Sequence, residues 1–244
     1  MTEPELSVVI PVGPSDNSWR TLLGDLLRCQ ESLEIIIVAT EPAADKEKAL
    51  LASTGRNKNV KWLISSIGRG RQQNTGARVA GGNFLWFLHA DSRVNQSTID
   101  SLKKVLNPDD AALYYFDLRF YDTPGVLVKV NEFGAKLRSN ILGLPFGDQG
   151  FCISKQLFFA LGAFREDIKR GEDHYLIWRA KRERIKLVRV HASIATSARR
   201  YSKLGWLRAT LSNVALTFRQ AVPECFRTIV MHCSGRKNAK LQRS

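Results

Sequence analysis

The sequence contains few cysteines, no long apolar run and too little acid to balance its bases. Its four cysteines, Cys29, Cys152, Cys225 and Cys233, include no CxxC pair. Their spacing therefore predicts neither a zinc site nor a disulfide framework, and reduced thiols are typical of a cytosolic protein. No stretch approaches the roughly 18 apolar residues of a membrane-spanning helix, and the acidic start MTEPELSVVI does not resemble a signal peptide. We expect a cytoplasmic protein.

The excess of basic over acidic residues is concentrated towards the C-terminal end of the chain. The chain of 244 residues has 37 Lys and Arg against 23 Asp and Glu, a net charge of +14. Residues 199–244 hold ten of these bases and a single acid, Glu224, whereas the residues before Gly68 are slightly acidic. A basic end attracts phosphate in a nucleotide, a nucleic acid or an anionic lipid surface, although a solvated tail has the same composition.

Strand and helix patterns alternate along the first half of the chain. Continuous apolar runs typical of buried strands alternate with helical patterns, one of which opens with the glycine-rich segment GRGRQQNTG. This alternation predicts an α/β fold with a mostly parallel sheet flanked by helices. The predicted strands are 6–12, 33–38, 60–64, 84–88, 111–118 and 187–195, and the turn-rich segment 143–154 leads into a further strand. The later predicted helices are 126–141, 171–184 and 203–229.

An acid follows the most apolar of these runs. Residues 84–93 read FLWFLHADSR, so Asp91 comes just after a buried strand. Ligands of parallel sheets bind beyond the carboxyl ends of the strands, where a carboxylate suits a hard cation and the cation suits phosphate oxygens. Two alternatives stay open at this point: Asp91 could cap the following helix, and His89 could be a metal ligand, a phosphate contact or a structural residue.

Two further segments carry candidate functional residues. Residues 68–76 lack the third glycine of a dinucleotide fingerprint, but Arg69, Arg71 and Asn74 stand at a helix start, where anions bind well. The pair Glu172-Asp173 opens a later helix. Acids are common there because of the helix dipole, and the alternative is that one of them is a general base for a substrate hydroxyl.

These motifs together resemble a known family. SVVIPV, GRGRQQNTGA, FLHAD, GDQG, the Glu-Asp pair and TSARR occur in this order up to residue 200. They resemble family 2 glycosyltransferases of the GT-A fold, and most closely the radical-SAM/selenodomain-associated, arsenosugar-biosynthesis type. The resemblance implies a GT-A-like (Rossmann-like) domain over 1–200, with a nucleotide-binding half (1–93) and an acceptor half (94–200). A basic C-terminal helical extension, 201–244, would follow.

The resemblance also implies roles for individual residues in an inverting transfer of sugar from a nucleotide-sugar donor to an acceptor hydroxyl. Asp173 would be the catalytic base, with Glu172 beside it. A divalent metal, Mg²⁺ or Mn²⁺, would lie on Asp91, with His89 at the other metal position. The donor would be bound by Pro11, Glu41, Arg71, Asn74, Ala90, Asp91, Arg199 and Arg200. The acceptor would be bound by Asp148 and Gln149.

Two departures from the family pattern leave alternatives open. His89 stands where the first acid of a D-x-D motif is usual, and Glu41 lies beyond the usual place of the base-reading acids. A basic module that binds RNA or an anionic membrane, or a nucleotidyltransferase that releases pyrophosphate, are the competing hypotheses. We expect a nucleotide-sugar donor, a small-molecule or lipid-linked acceptor and no nucleic acid. The basic end leaves open a homodimer or peripheral contact with the inner membrane face.

Overall fold

The computed structural model describes residues 6–30, 32–52, 59–122 and 126–199, together with residues 208, 210, 215, 219 and 224. Arg200 and nearly all of the predicted C-terminal extension lie outside the described residues. The division of the chain into a domain and an extension therefore stays a prediction.

Seven strands form one sheet in the order β3-β2-β1-β4-β6-β5-β7. β6 is antiparallel to both of its neighbours, and every other pairing is parallel, so the predicted mostly parallel α/β sheet is confirmed. The strands are β1 (Leu6–Val12), β2 (Glu34–Ala39), β3 (Asn59–Ile64), β4 (Phe84–Phe87), β5 (Ala112–Phe120), β6 (Phe151–Ser154) and β7 (Lys186–Thr196).

Helices cover both faces of this sheet and enclose two apolar cores. One core includes Ile10, Leu22 and Trp86, and the other includes Val9, Phe87 and Leu176. Strands covered on both faces need apolar residues at successive positions, which explains their continuous apolar runs. The helices are α1 (Trp19–Arg28), α2 (Asp45–Ala52), α3 (Arg69–Val79), α4 (Gln96–Val105), α5 (Val126–Ile141), α6 (Lys155–Ala160) and α7 (Glu172–Arg182).

The topology fixes where a site can form. Because β6 runs against its neighbours, its beginning lies at the same edge as the carboxyl ends of β4 and β5. The 3₁₀ turn Gly147–Gln149, which precedes β6, therefore joins the residues that follow the parallel strands. This edge is where open α/β sheets bind their ligands.

Close packing of α3 on the sheet gives a testable prediction. A Cβ atom at Gly76 would lie 2.5 Å from Val9 Cγ1 and 3.1 Å from Val38 Cγ2. We expect Gly76→Ala to destabilise the fold by about 1–3 kcal/mol in urea unfolding, since the added methyl overpacks the core. Gly24→Ala in α1 is the matched control: its Cβ meets nothing within 4 Å, so it should stabilise by about 0.5–1 kcal/mol. Equal unfolding midpoints for the two variants would contradict this packing.

Candidate active site

A cleft of about 480 Å³ opens at the carboxyl edge of the sheet. Residues after β4 and β7 line it, together with the turn before β6 and the start of α7. Four of the predicted site residues share this cleft: His89, Asp91, Asp148 and Asp173. Asp91, expected on the metal, and Asp173, expected as the base, are thus in one cavity although 82 positions separate them in the chain.

Asp173 is held in one orientation with one oxygen free. It is 6% exposed, and its Oδ2 accepts a hydrogen bond of 2.6 Å from the Gly147 backbone N–H. Its buried Oδ1 accepts no hydrogen bond from the described residues and lies 3.8 Å from Arg69 Nη2. Burial opposes ionisation, but the charges of His174 and Arg69 and the Gly147 N–H outweigh it and lower the pKa of Asp173. The carboxylate is therefore ionised and able to accept a proton from a ligand.

Arg69, the first residue of α3, contacts the two acids that begin α7. Its Nε donates to the carboxylate of Glu172, which is 2% exposed and does not line the cleft. The glycine that follows, Gly70, permits this approach, because a Cβ there would lie 2.5 Å from the Arg165 carbonyl oxygen and 3.4 Å from Glu172 Cβ. Glu172 thus anchors Arg69, and Arg69 in turn lies beside Asp173.

His89 also faces Arg69. Its Nε2 lies 3.3 Å from Arg69 Nη1, and because arginine has only donors, this ring nitrogen accepts the hydrogen bond. Burial, with the Arg69 charge in the same direction, lowers the pKa of His89, so the imidazole is neutral and carries its proton on Nδ1. In this arrangement neither ring nitrogen has a lone pair free for a metal.

Asp91 does not cap the following helix. The N-cap of α4 is Asn95, whose side chain accepts the Thr98 backbone N–H at 3.1 Å. The Asp91 carboxylate instead faces the cleft, with its Oδ2 at 3.6 Å from Arg199 Nη2. Burial raises the pKa of Asp91 although Arg199 acts in the opposite direction, so its charge is only partly compensated.

A second, smaller cavity of about 120 Å³ lies at the ends of β1, β2 and β3, with Asp16, Glu41 and Trp62 in its lining. Arg199 stands between the two cavities. It bonds Ser18 Oγ at 2.7 Å and Asp16 at 3.1 Å on one side, and faces Asp91 on the other. Arg199 thus contacts one acid of each cavity lining, Asp16 of the smaller and Asp91 of the larger.

Several residues expected to bind the nucleotide-sugar donor make contacts within the fold instead. Asn74 exchanges hydrogen bonds with the Phe164 backbone, donating to its carbonyl at 2.9 Å and accepting its N–H at 3.0 Å. Arg71 pairs with Glu166 at 3.4 Å, so both residues hold the loop before α7. Pro11 and Ala90 are buried, Pro11 within β1 and Ala90 between His89 and Asp91.

Gln149, predicted to bind the acceptor, is outside the cleft lining and 1% exposed. Its Oε1 accepts from Ser139 Oγ at 2.7 Å and from the Phe146 N–H at 3.0 Å, and its Nε2 donates to the Phe116 carbonyl at 2.8 Å. Both ends of the amide thus help to fix the turn that presents Asp148. Asp148 itself lines the cleft, and its buried Oδ1 has no hydrogen-bond partner among the described residues.

Sequence reasoning missed the aromatic and basic parts of the cleft. Phe146 and His174 stack with ring centroids 3.9 Å apart, and the Arg138 guanidinium carbon lies 3.2 Å from the Phe146 centroid. Lys169 and Arg170 line the rim. Phe146 directly precedes the GDQG motif, which was a usable signal, but no local pattern links residues 146 and 174.

The described residues contain no group of three or more His, Cys, Asp and Glu side chains able to hold a metal ion. In the same part of the chain, no helix is both long and apolar enough to cross a membrane.

No family model matches the chain, and no curated protein matches it. Solved structures do. The mannosyltransferase PcManGT from Pyrobaculum calidifontis, in complex with GDP-Man and Mn²⁺, matches 91% of this chain with a TM-score of 0.66 and 15% identity. S. aureus TarS 1–349 in complex with UDP-GlcNAc matches 79% of this chain with a TM-score of 0.60 and 16% identity. GalNAc-T7 with UDP, GalNAc and Mn²⁺ matches 80% of this chain with a TM-score of 0.60 and 15% identity.

This chain spans 65%, 58% and 44% of the lengths of those three proteins, respectively. At such low identity the likeness establishes a shared α/β fold. It confirms the expected GT-A-like architecture, and the chemistry has to be argued from the site.

Proposed function

We propose that this protein is a glycosyltransferase that moves a sugar from a nucleotide-sugar donor to an acceptor hydroxyl with inversion. The observation that carries the proposal is the pair Asp91 and Asp173 in one cleft at the carboxyl edge of the sheet. The shared fold supports it, since proteins of this architecture have been solved with UDP, UDP-GlcNAc and GDP-Man.

The donor would lie across both cavities. Its nucleoside would lie at the smaller one, beside Glu41, and its diphosphate beside Arg199, which contacts Asp16 of the smaller lining and Asp91 of the larger one. There Arg199 offers a guanidinium, the group best suited to phosphate oxygens. Arg200, the next residue, is proposed as a second phosphate contact on the strength of the family resemblance. Asp16 now bonds Arg199, so the diphosphate would replace this carboxylate as its partner.

Asp91 fits a divalent cation at the diphosphate. Mg²⁺ commonly binds through one or two carboxylates plus substrate phosphates. Asp91 is a cleft carboxylate whose charge Arg199 only partly compensates. Because Arg69 uses the free ring nitrogen of His89, Asp91 would be the protein ligand, with phosphate and water as the others. When bound, such a cation would neutralise charge that develops on the leaving diphosphate.

Asp173 would act as the general base. An acceptor hydroxyl donates to its free Oδ1, and the hydroxyl oxygen bonds the anomeric carbon as the bond from that carbon to the diphosphate oxygen breaks. The proton ends on Asp173 and the electron pair on the nucleoside diphosphate, whose charge Arg199 stabilises. Asp148 and Phe146, which line the same cleft, would contact the acceptor.

Thermal unfolding in the presence of nucleotides tests the donor class. We expect UDP or GDP, and the matching nucleotide sugar, to raise the Tm more with Mn²⁺ than without it, because a ligand at a hundred times its Kd adds about 2.7 kcal/mol to the stability of the fold. Asp91→Asn should remove the Mn²⁺-dependent part of the shift. The absence of any shift, with or without Mn²⁺, would contradict the proposal.

Product analysis separates the alternatives that the sequence left open. A glycosyltransferase releases a nucleoside diphosphate, whereas a nucleotidyltransferase releases pyrophosphate. A basic module that only binds RNA or membrane would release neither.

A further inference from the structure

The outward face of α5 is apolar. Val130, Phe133, Leu137 and Ile141 are 50%, 67%, 48% and 71% exposed, and Leu142, just after the helix, is 58% exposed. Their spacing of three, four and four residues puts them on one side of a helix with 3.6 residues per turn. We call these five residues the α5 row. A contiguous exposed row of this kind marks an interaction surface, whereas scattered single apolar residues do not.

The opposite side of α5 is anchored to the fold. Ala135 and Ser139 are buried, and the Ser139 hydroxyl donates to Gln149 at 2.7 Å. Glu132 Oε1 accepts the Phe120 backbone N–H at 2.7 Å. These contacts fix the rotation of the helix about its axis. The α5 row therefore cannot turn inward, and it points outward because the inner side is already packed.

The charged residues beside the α5 row indicate which kind of partner it binds. Lys129 and Lys136 are exposed and lie along one flank of the α5 row. Glu132 is the single acid of the helix, and its Oε1 accepts from Phe120. An apolar row flanked by lysine and free of exposed acid is the pattern of a helix that lies in the interface of an anionic membrane. A second copy of the same face would bring four lysines together, with only the half-buried Glu132 of each copy near them.

We propose that the α5 row docks on an anionic lipid bilayer, with its apolar side chains at the boundary between headgroups and acyl chains. Lys129 and Lys136 then contact lipid phosphates. Residues 142–146 lead directly from α5 to the turn that presents Asp148, so docking would hold the cleft close to the membrane surface. The docking is independent of sugar transfer and stands whether or not the proposed function is correct.

Co-sedimentation of the full chain with vesicles tests this proposal. The probes are vesicles of phosphatidylcholine alone and of phosphatidylcholine mixed with phosphatidylglycerol. We expect binding to the anionic vesicles. Ile141→Asp and Phe133→Asp should each weaken it about tenfold or more, the scale expected from losing one buried large apolar side chain. Replacing both lysines by Gln should cost about fivefold for each residue on anionic vesicles only.

Ile67→Asp is the matched control, since Ile67 is also 71% exposed but lies in the loop before α3. It should bind vesicles like the unchanged protein, and the Tm of each variant checks that it is folded. Unchanged binding of Ile141→Asp, or equal binding to neutral and anionic vesicles, would overturn the proposal. So would a dimer seen by light scattering that Ile141→Asp dissociates and Ile67→Asp does not. Loss of binding only when the four bases of residues 236–243 are neutralised would assign it to the C-terminal end.

Discussion

Asp173→Asn is expected to lower the turnover number about a hundredfold or more, because proton transfer to a positioned base typically contributes 10²–10⁴ in rate. The substitution keeps the shape of the side chain, and its amide oxygen can still accept the Gly147 N–H that holds Asp173. What it removes is the basicity of Oδ1, which accepts no hydrogen bond from the described residues. The measurement is turnover at saturating donor, with donor binding followed separately by thermal shift.

Asp167→Asn is the matched control for this variant. Asp167 is an exposed acid in the loop before α7 and pairs with Arg165 outside the cleft. It undergoes the same chemical change and should keep normal turnover. Near-normal turnover of Asp173→Asn with the donor still bound would contradict the assignment. If Asp148→Asn lost turnover instead, the base would be Asp148.

The pH dependence of kcat/KM separates these two carboxylates. The pKa of Asp173 lies below its ordinary value of 3.8, so this base stays ionised through the weakly acidic range. Burial raises the pKa of Asp148 above 3.8, and the charge of Asp173 adds to the effect although Arg138 and Arg69 oppose it. A base at Asp173 therefore adds no acid limb of its own above pH 3.8, whereas a base at Asp148 adds one to the limb expected from Asp91, whose pKa burial also raises. Asp91→Asn variants with and without Asp148→Asn separate the two contributions.

Arg69→Met is expected to lower the stability of the fold by about 2–3 kcal/mol, because it leaves a buried carboxylate without its partner, although the Arg69 side chain is itself 37% exposed. Its partner Glu172 is 2% exposed and would be left with an uncompensated charge. Urea unfolding followed by circular dichroism gives the change in midpoint. The double variant Arg69→Met/Glu172→Gln should recover part of the loss, because it removes the stranded charge.

Arg78→Met provides the control on the same helix. The side chains of Arg78 and its partner Glu166 are 58% and 33% exposed, and such pairs contribute about 0–1 kcal/mol. Equal losses of stability for Arg69→Met and Arg78→Met would contradict the pairing of Arg69 with the buried Glu172.

The cost of Arg69→Met should also depend on pH. Folding lowers the pKa of Asp173, so the stability that this group contributes is present above its ordinary value of 3.8 and is lost as the pH falls further. Since Arg69 is one cause of the lowered pKa, the difference between Arg69→Met and the unchanged protein should narrow below pH 3.8.

Local patterns were sufficient for the strands and helices. The runs at β1, β2 and β4 are mostly apolar at successive positions because both faces of each strand are covered. Burial on both faces can therefore be recognised from the local sequence. The same logic located Asp91, since an acid directly after such a run must lie at an edge of the sheet. These predictions needed no knowledge of which segments meet in space.

Local sequence patterns could not distinguish a ligand-binding side chain from a structural one. Asn74 and Gln149 stand in motifs typical of ligand contacts, yet their amides bond Phe164 and Phe116, 90 and 33 positions away. A polar residue that binds a substrate and one that satisfies a buried backbone group look the same in a sequence. The direction of β6 was equally hidden, because four apolar residues carry no information about the neighbours with which they pair.

The sequence by itself determined the alternating α/β architecture, the position of Asp91 after a buried strand and the excess of positive charge. Only the tertiary structure decided that Arg69 pairs with Glu172 across 103 positions, that Arg69 uses the lone pair of His89, and that Arg199 stands between two cavities. Strand and helix propensities act between near neighbours in the chain. Charge compensation and cavity shape depend on distances in space, which the folded chain alone sets.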